Sequence, residues 1–175
     1  MKLVVLLLLV TGLFSCTSIP LSTMARFATA DESDFVLLNP EVIRARVILD
    51  QPLEPNHENI ALKMEVDDGQ HVRILDFPLI LESHTQRAAE SGLFSSQPAK
   101  NAFTYRMTAG AAENFKTLQA SYSPDDKSKY TFQISAGIKQ QPEALETLTL
   151  SLELKLDNQE GFITMLDNAT FDVNQ

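Results

Sequence analysis

The chain predicts a mainly β domain of the α+β kind, and three observations carry the prediction. Apolar residues recur with a period of two in at least six stretches, most cleanly at Leu148, Leu150, Leu152, Leu154 and Leu156; this is the mark of strands buried on one face. Several of these stretches are joined by short polar turns, with Asp67-Asp68-Gly69 the clearest, so neighbouring strands are expected to be antiparallel. Only two segments carry a helical period, and both are short. Elements of these kinds pack in two layers. The expected form is an antiparallel β-sandwich-like domain with two short helices; the alternative is a single curved antiparallel sheet covered by the helices.

Element by element, Asp31 to Leu38 reads as a short helix with acidic residues in its first turn and Phe35 and Leu38 on one face. Asn39-Pro40 ends it, because a residue before proline is pushed out of the α region. Ile43, Ala45, Val47 and Leu49 then alternate as a strand, and Ile60, Leu62, Met64 and Val66 form the next. The return strand, Val72 to Leu81, changes phase between Ile74 and Leu75, which predicts a β-bulge, and Pro78 predicts an edge position. Glu82 to Asn101 has no period and reads as a long loop. Phe103 to Met107 is a strand, and Thr108 is placed to cap a helix over Ala109 to Ser121 whose stripe is Ala111, Phe115, Leu118 and Tyr122. Tyr130 to Ile138, Leu148 to Leu156 and Phe162 to Val173 complete the strands.

Two stretches echo each other. Gln51-Pro52, the Ile60 to Asp67 alternation and Ile74-Leu75-Asp76 compare with Gln141-Pro142, Leu150 to Asp157 and Met165-Leu166-Asp167, at an offset of 90 residues that becomes 91 after the turn. The echo suggests that residues 31–81 and 109–173 are duplicated halves of a single 31–175 domain; generic strand patterning is the competing explanation.

The N-terminus carries a different kind of signal. Lys2 is followed by an apolar run from Leu3 to Leu13, then Leu13-Phe14-Ser15-Cys16, and Cys16 is the only cysteine. A charged start, a short apolar run and a small residue before a cut site make a signal peptide, and the run is shorter than the roughly 20 apolar residues a membrane span needs. Leu13 to Cys16 resembles the lipobox of bacterial lipoproteins. The resemblance implies that residues 1–15 are removed and that the Cys16 thiol is acylated, with palmitate among the expected chains. Thr17 is not the Asp that retains such lipoproteins in the inner membrane, so the implied address is the outer membrane, facing the periplasm. Simple secretion is the competing reading. Residues 16–30 form a tether whose ~14 residues beyond the cysteine reach at most roughly 45–50 Å, which keeps the domain close to the bilayer.

Removing 1–15 takes one cation, Lys2, from 14 and leaves 13 against 23 carboxylates, a formal net charge of −10. So acidic a chain, with no run of Lys and Arg, excludes nucleic acid as the expected partner. It also leaves membrane attachment to the acyl chains instead of a basic patch.

The search for chemistry nominates little. His57-Glu58-Asn59-Ile60-Ala61 starts like a zinc-protease motif but has Ala61 at the second ligand position. His71 lies beside a turn, and His84 ends a strand, where it either pairs with Glu82 or is solvated. No two histidines have metal-ligand spacing, no Gly-x-Ser-x-Gly elbow occurs, and the glycines are scattered. Asp67-Asp68 and Asp125-Asp126 read as turns. No cofactor or metal is expected. The expected function is a non-catalytic binding or accessory module of the envelope, attached to the membrane by its lipid and taking a protein or lipidic partner. The alternative is a hydrolase with a dispersed site near the 82–101 loop. Within that loop Leu93 and Phe94, an apolar pair among small polar residues, are the candidate partner contacts.

Overall fold

The computed structural model describes residues 34–91, 96–123, 129–139 and 145–172. One helical turn, α1 (Asp34–Leu37), precedes strand β1 (Arg44–Asp50). A loop leads to β2 (Ala61–Asp67), in which Leu62, Met64 and Val66 are buried and their neighbours are half-exposed, as period-two alternation requires. The turn after β2 is held by its own carboxylates: Asp67 Oδ1 accepts from Gly69 N at 2.9 Å, and Asp68 Oδ1 from His71 N at 2.7 Å. Gly69 adopts φ 81°, a backbone region that costs glycine little. Next come β3 (Val72–Arg87), two short strands β4 (Glu90–Ser91) and β5 (Ser96–Gln97), and β6 (Lys100–Met107). Helix α2 (Ala109–Ser121) follows, with Thr108 Oγ1 accepting from Ala111 N at 3.1 Å as the expected cap. Strands β7 (Lys129–Ser135), β8 (Thr147–Lys155) and β9 (Ile163–Asp172) end the domain.

Seven strands form one antiparallel sheet in the order β7-β2-β3-β6-β1-β8-β9. The mainly β, antiparallel expectation holds, and its form is the single curled sheet instead of two separate ones. The sheet curls because β3 serves two neighbours in turn: Val72 to Pro78 pairs with β2, and Leu79 to Arg87 pairs with β6. The change of partner falls at Pro78, the residue without a donor. Its carbonyl accepts from Thr108 N, while Leu79 N donates to Ile60 O. The core lies between the two parts, joining Leu62, Met64 and Phe77 to Val47, Leu49, Phe103 and Tyr105. Helix α2 inserts Phe115 among these, with its ring edge-on to Phe77 at 5.1 Å.

The strand order also gives the two echoing stretches equivalent places. Each supplies a hairpin, β2-β3 or β8-β9, and each hairpin is flanked by a strand from the other half of the chain, β7 beside β2 and β1 beside β8. Strand β6 joins the two triplets.

Three local expectations need correction. Glu82 to Asn101 is mostly strand: β3 runs on to Arg87 and β6 begins at Lys100. Period-two patterning is missing there because Ile80 to Arg87 is exposed on both faces, so no face selects apolar residues. The phase change at Ile74-Leu75 is not a bulge. The ladder to β2 is regular from Val72 to Pro78, and Val72 and Ile74 are exposed on the outer face. The bulge lies between Leu81 and Ser83, where Glu82 is the extra residue. The first helix is a single turn among the described residues, with 31–33 lying outside them. Among the described residues no helix is long and apolar enough to cross a membrane.

Candidate functional site

Two side-chain constellations stand out, one on each face of the sheet. On the inner face, β6 presents Asn101, Phe103 and Tyr105, all buried, and two of the three histidines converge on them. His57, in the loop before β2, meets Tyr105 Oη through Nδ1 at 2.9 Å, with its ring 5.4 Å from Phe103. Burial, and then the charge of Glu54, push the Tyr105 phenol well above its ordinary pKa, so it stays protonated. His84 does not pair with Glu82. It lies flat on Phe103, centroids 4.4 Å apart, and its Nε2 meets Asn101 Oδ1 at 3.2 Å. The Asn101 amide also takes Gln51 Nε2 and donates to Leu53 O. This network ties the β1–β2 loop to the sheet, and no buried side-chain polar atom among the described residues lacks a partner. His71 is exposed beside its turn, 3.9 Å from Asp68, as a solvated turn residue should be. Among the described residues no three His, Cys, Asp or Glu side chains gather as a metal site.

The same alternation that buries Ala45, Val47 and Leu49 on the inner face puts Arg44, Arg46, Ile48 and Asp50 on the outer one, where the three charged residues are half-buried and Ile48 is buried. Register places Arg106 of β6 and Lys155 of β8 opposite Arg44 on either side. Three cations therefore stand in one row across three adjacent strands, an arrangement that like-charge repulsion disfavours. Arg44 is held by Glu82 (Nε to Oε2, 2.7 Å) and by the carbonyls of Glu41 and Ile43. In the next row Arg46 donates to Glu153 at 2.8 Å and to Thr104 Oγ1 at 3.2 Å, and its guanidinium covers the Phe162 ring at 3.5 Å. Arg106 and Lys155 have no carboxylate partner among the described residues: Arg106 donates to Met107 O and Lys155 to Asn158 Oδ1.

The row forms the floor of two adjoining grooves that share Arg44 and Glu82. One, of about 320 Å³, runs over Arg46, Lys155 and Phe162. The other, of about 540 Å³, runs over Arg106 to the start of α2 and the Glu41–Lys116 pair. Lys116, hydrogen-bonded to Glu41, holds that carboxyl below its usual range. Such a floor suits planar or tetrahedral anions, which guanidinium groups grip through several donors at once.

Of the residues nominated from sequence, Cys16, Leu93 and Phe94 lie outside the described residues. The cation row went unseen because its members are far apart in sequence and each looks like an ordinary exposed strand residue. No family model, no curated protein and no solved structure matches the chain.

Proposed function

We propose that this chain is a lipid-anchored module of the bacterial envelope, held at the outer membrane by Cys16 and facing the periplasm. Its domain binds a protein or lipidic partner on the outer face of β6, β1 and β8 without turning it over. The observation that carries the binding face is the unbalanced row Arg106–Arg44–Lys155 in a chain whose formal net charge is −9. Like charges in adjacent strands weaken a sheet, and a partner that neutralises Arg106 and Lys155 on either side of Arg44 recovers that loss. The lipobox-like Leu13 to Cys16 supports the anchor. Leu93 and Phe94, an apolar pair in the sequence, would add apolar contact.

One experiment in the native host tests both parts. Cys16→Ser should lose labelled palmitate and leave the membrane fraction; retained label sinks the anchor. A photo-crosslinking residue at Arg106 should give protein or lipid adducts, and the same residue at Lys63 should not. Equal adducts at both positions, or none at either, would remove the binding face.

A further inference from the structure

We infer that the outer-face row is a binding site for a phosphate dianion, the chemistry carried by a free phosphate or by a phosphomonoester headgroup. This rests on the reading of the outer face of β6, β1 and β8 as the binding face and gives its partner a chemical class. The floor of the site is rigid. Arg44 is fixed by Glu82 and two backbone carbonyls, and Arg46 by Glu153, Thr104 and the Phe162 ring. On either side of Arg44, one strand away, stand Arg106 and Lys155, with no carboxylate partner among the described residues. Their two uncompensated charges match the two of a dianion. Adjacent strands lie about 4.8 Å apart, so Arg106, in one groove, and Lys155, in the other, start about two strand spacings apart, within reach of one tetrahedral group above the Arg44 that both grooves share.

The nearby carboxylates do not spoil the site. Glu82 and Glu153 are engaged by Arg44 and Arg46, and Glu41 by Lys116, so each presents a partly neutralised charge to an incoming anion; Glu113, which lines the Arg106 groove, adds its charge on the Lys116 side. The outer face of β2 and β3 shows what an ordinary charged face looks like in this sheet. There Lys63 stands opposite Asp76, 3.8 Å away, and no row collects like charges across three strands. Phe162, its ring covered by the Arg46 guanidinium, also lines the groove over Arg46.

The test is calorimetric titration of the full-length lipidated protein in neutral detergent with inorganic phosphate at pH 8, at low ionic strength. Saturable binding is expected, weakened about tenfold or more in Arg106→Gln and again in Lys155→Gln, since each removes a charge-assisted contact. Lys63→Gln should bind like the parent. Near-identical melting temperatures for the variants would show that the loss is not unfolding. Absence of saturable heat overturns the inference, and so does unchanged affinity in both Arg106→Gln and Lys155→Gln. Flotation of Cys16→Ser protein with vesicles then separates the sources. Capture by phosphatidic acid in phosphatidylcholine, but not by phosphatidylcholine alone, assigns a headgroup; no capture alongside phosphate binding assigns a soluble phosphate. If phosphate fails while adducts still form at Arg106 and not at Lys63, the binding face survives and only its ligand class falls.

Discussion

The two triplets of the sheet, β7-β2-β3 and β1-β8-β9, are built alike but treated differently on their outer faces. In each, a hairpin is flanked by a strand from the other half of the chain, and in each an aspartate accepts backbone N–H bonds in the hairpin turn. Asp68 takes Gln70 N and His71 N, and Asp157 takes Gln159 N and Glu160 N. Outside, the first triplet sets Lys63 against Asp76, and its exposed Val72 and Ile74 are bland strand residues. The second sets Arg44 against Lys155, with Arg106 beyond. Since the same architecture tolerates balanced charges in one place, the imbalance in the other is not a demand of the fold. A local departure of this kind from what stability favours is expected where a site is built.

The largest expected effect probes the inner faces. Leu62 and Leu152 hold corresponding places in the echo, but Leu62 is 3 % exposed whereas Leu152 is half-buried beside the irregular β8–β9 ladder. Leu62→Ala should cost about 2–5 kcal/mol, as cavity-forming changes in closed cores do. Leu152→Ala should cost ~1–2 kcal/mol, because less apolar area is lost from water. Urea unfolding of the two variants measures the difference. Equal losses would show that the triplets are packed alike and that the comparison fails at the core.

How much of this was legible in the sequence depends on whether a residue's environment is one-sided. Strand β2 was legible because one face is buried, so Leu62-x-Met64-x-Val66 announces both strand and orientation. The α2 cap was legible because Thr108 acts on a residue three positions away. Ile80 to Arg87 was not, since neither face is covered. The pairings of His57 with Tyr105 and of His84 with Phe103 were hidden for a different reason. The second joins residues paired by register across β3 and β6, and the first joins a residue of the β1–β2 loop to β6; sequence spacing holds no record of either. The cation row is the same case. Arg44-x-Arg46 looks like any solvated strand face until β6 and β8 are known to flank it. The curl was half-visible: Pro78 marked an irregular place, but not that β3 changes partner there.

The next effect is smaller and has opposite signs in the two triplets. Arg106→Gln and Lys155→Gln each remove a like charge from a cross-strand row, so each should stabilise the ligand-free domain by about 0.2–1 kcal/mol. Lys63→Gln removes the partner of Asp76 and should destabilise it by about 0.2–1 kcal/mol. Both effects should shrink at high salt, since none of these side chains is buried. Denaturant midpoints at low and high ionic strength check the signs. If Arg106→Gln and Lys155→Gln destabilise as Lys63→Gln does, the row carries no stored repulsion, and the argument that it exists for a ligand loses its energetic basis.

The smallest effect lies in the β2–β3 turn. Asp68 Oδ1 accepts from His71 N at 2.7 Å and Gln70 N at 2.9 Å, and these backbone donors, His71 foremost, hold its carboxyl below the usual range. The His71 and Arg73 charges lower it further. A carboxyl whose folded pKa lies below its unfolded one stabilises the fold above the unfolded value, about 3.9 for Asp. That contribution fades as pH falls through the folded value, because the neutral acid accepts the two N–H bonds less well. Asp68→Asn keeps an acceptor oxygen in the same turn and removes the titration. The stability difference between parent and variant should therefore be flat above about pH 5 and close up below about pH 4. The fully solvated carboxylate makes this a small change, read best from unfolding midpoints measured side by side at each pH. Profiles that stay parallel down to low pH would show that the turn is held by shape alone and that its aspartate charge contributes nothing.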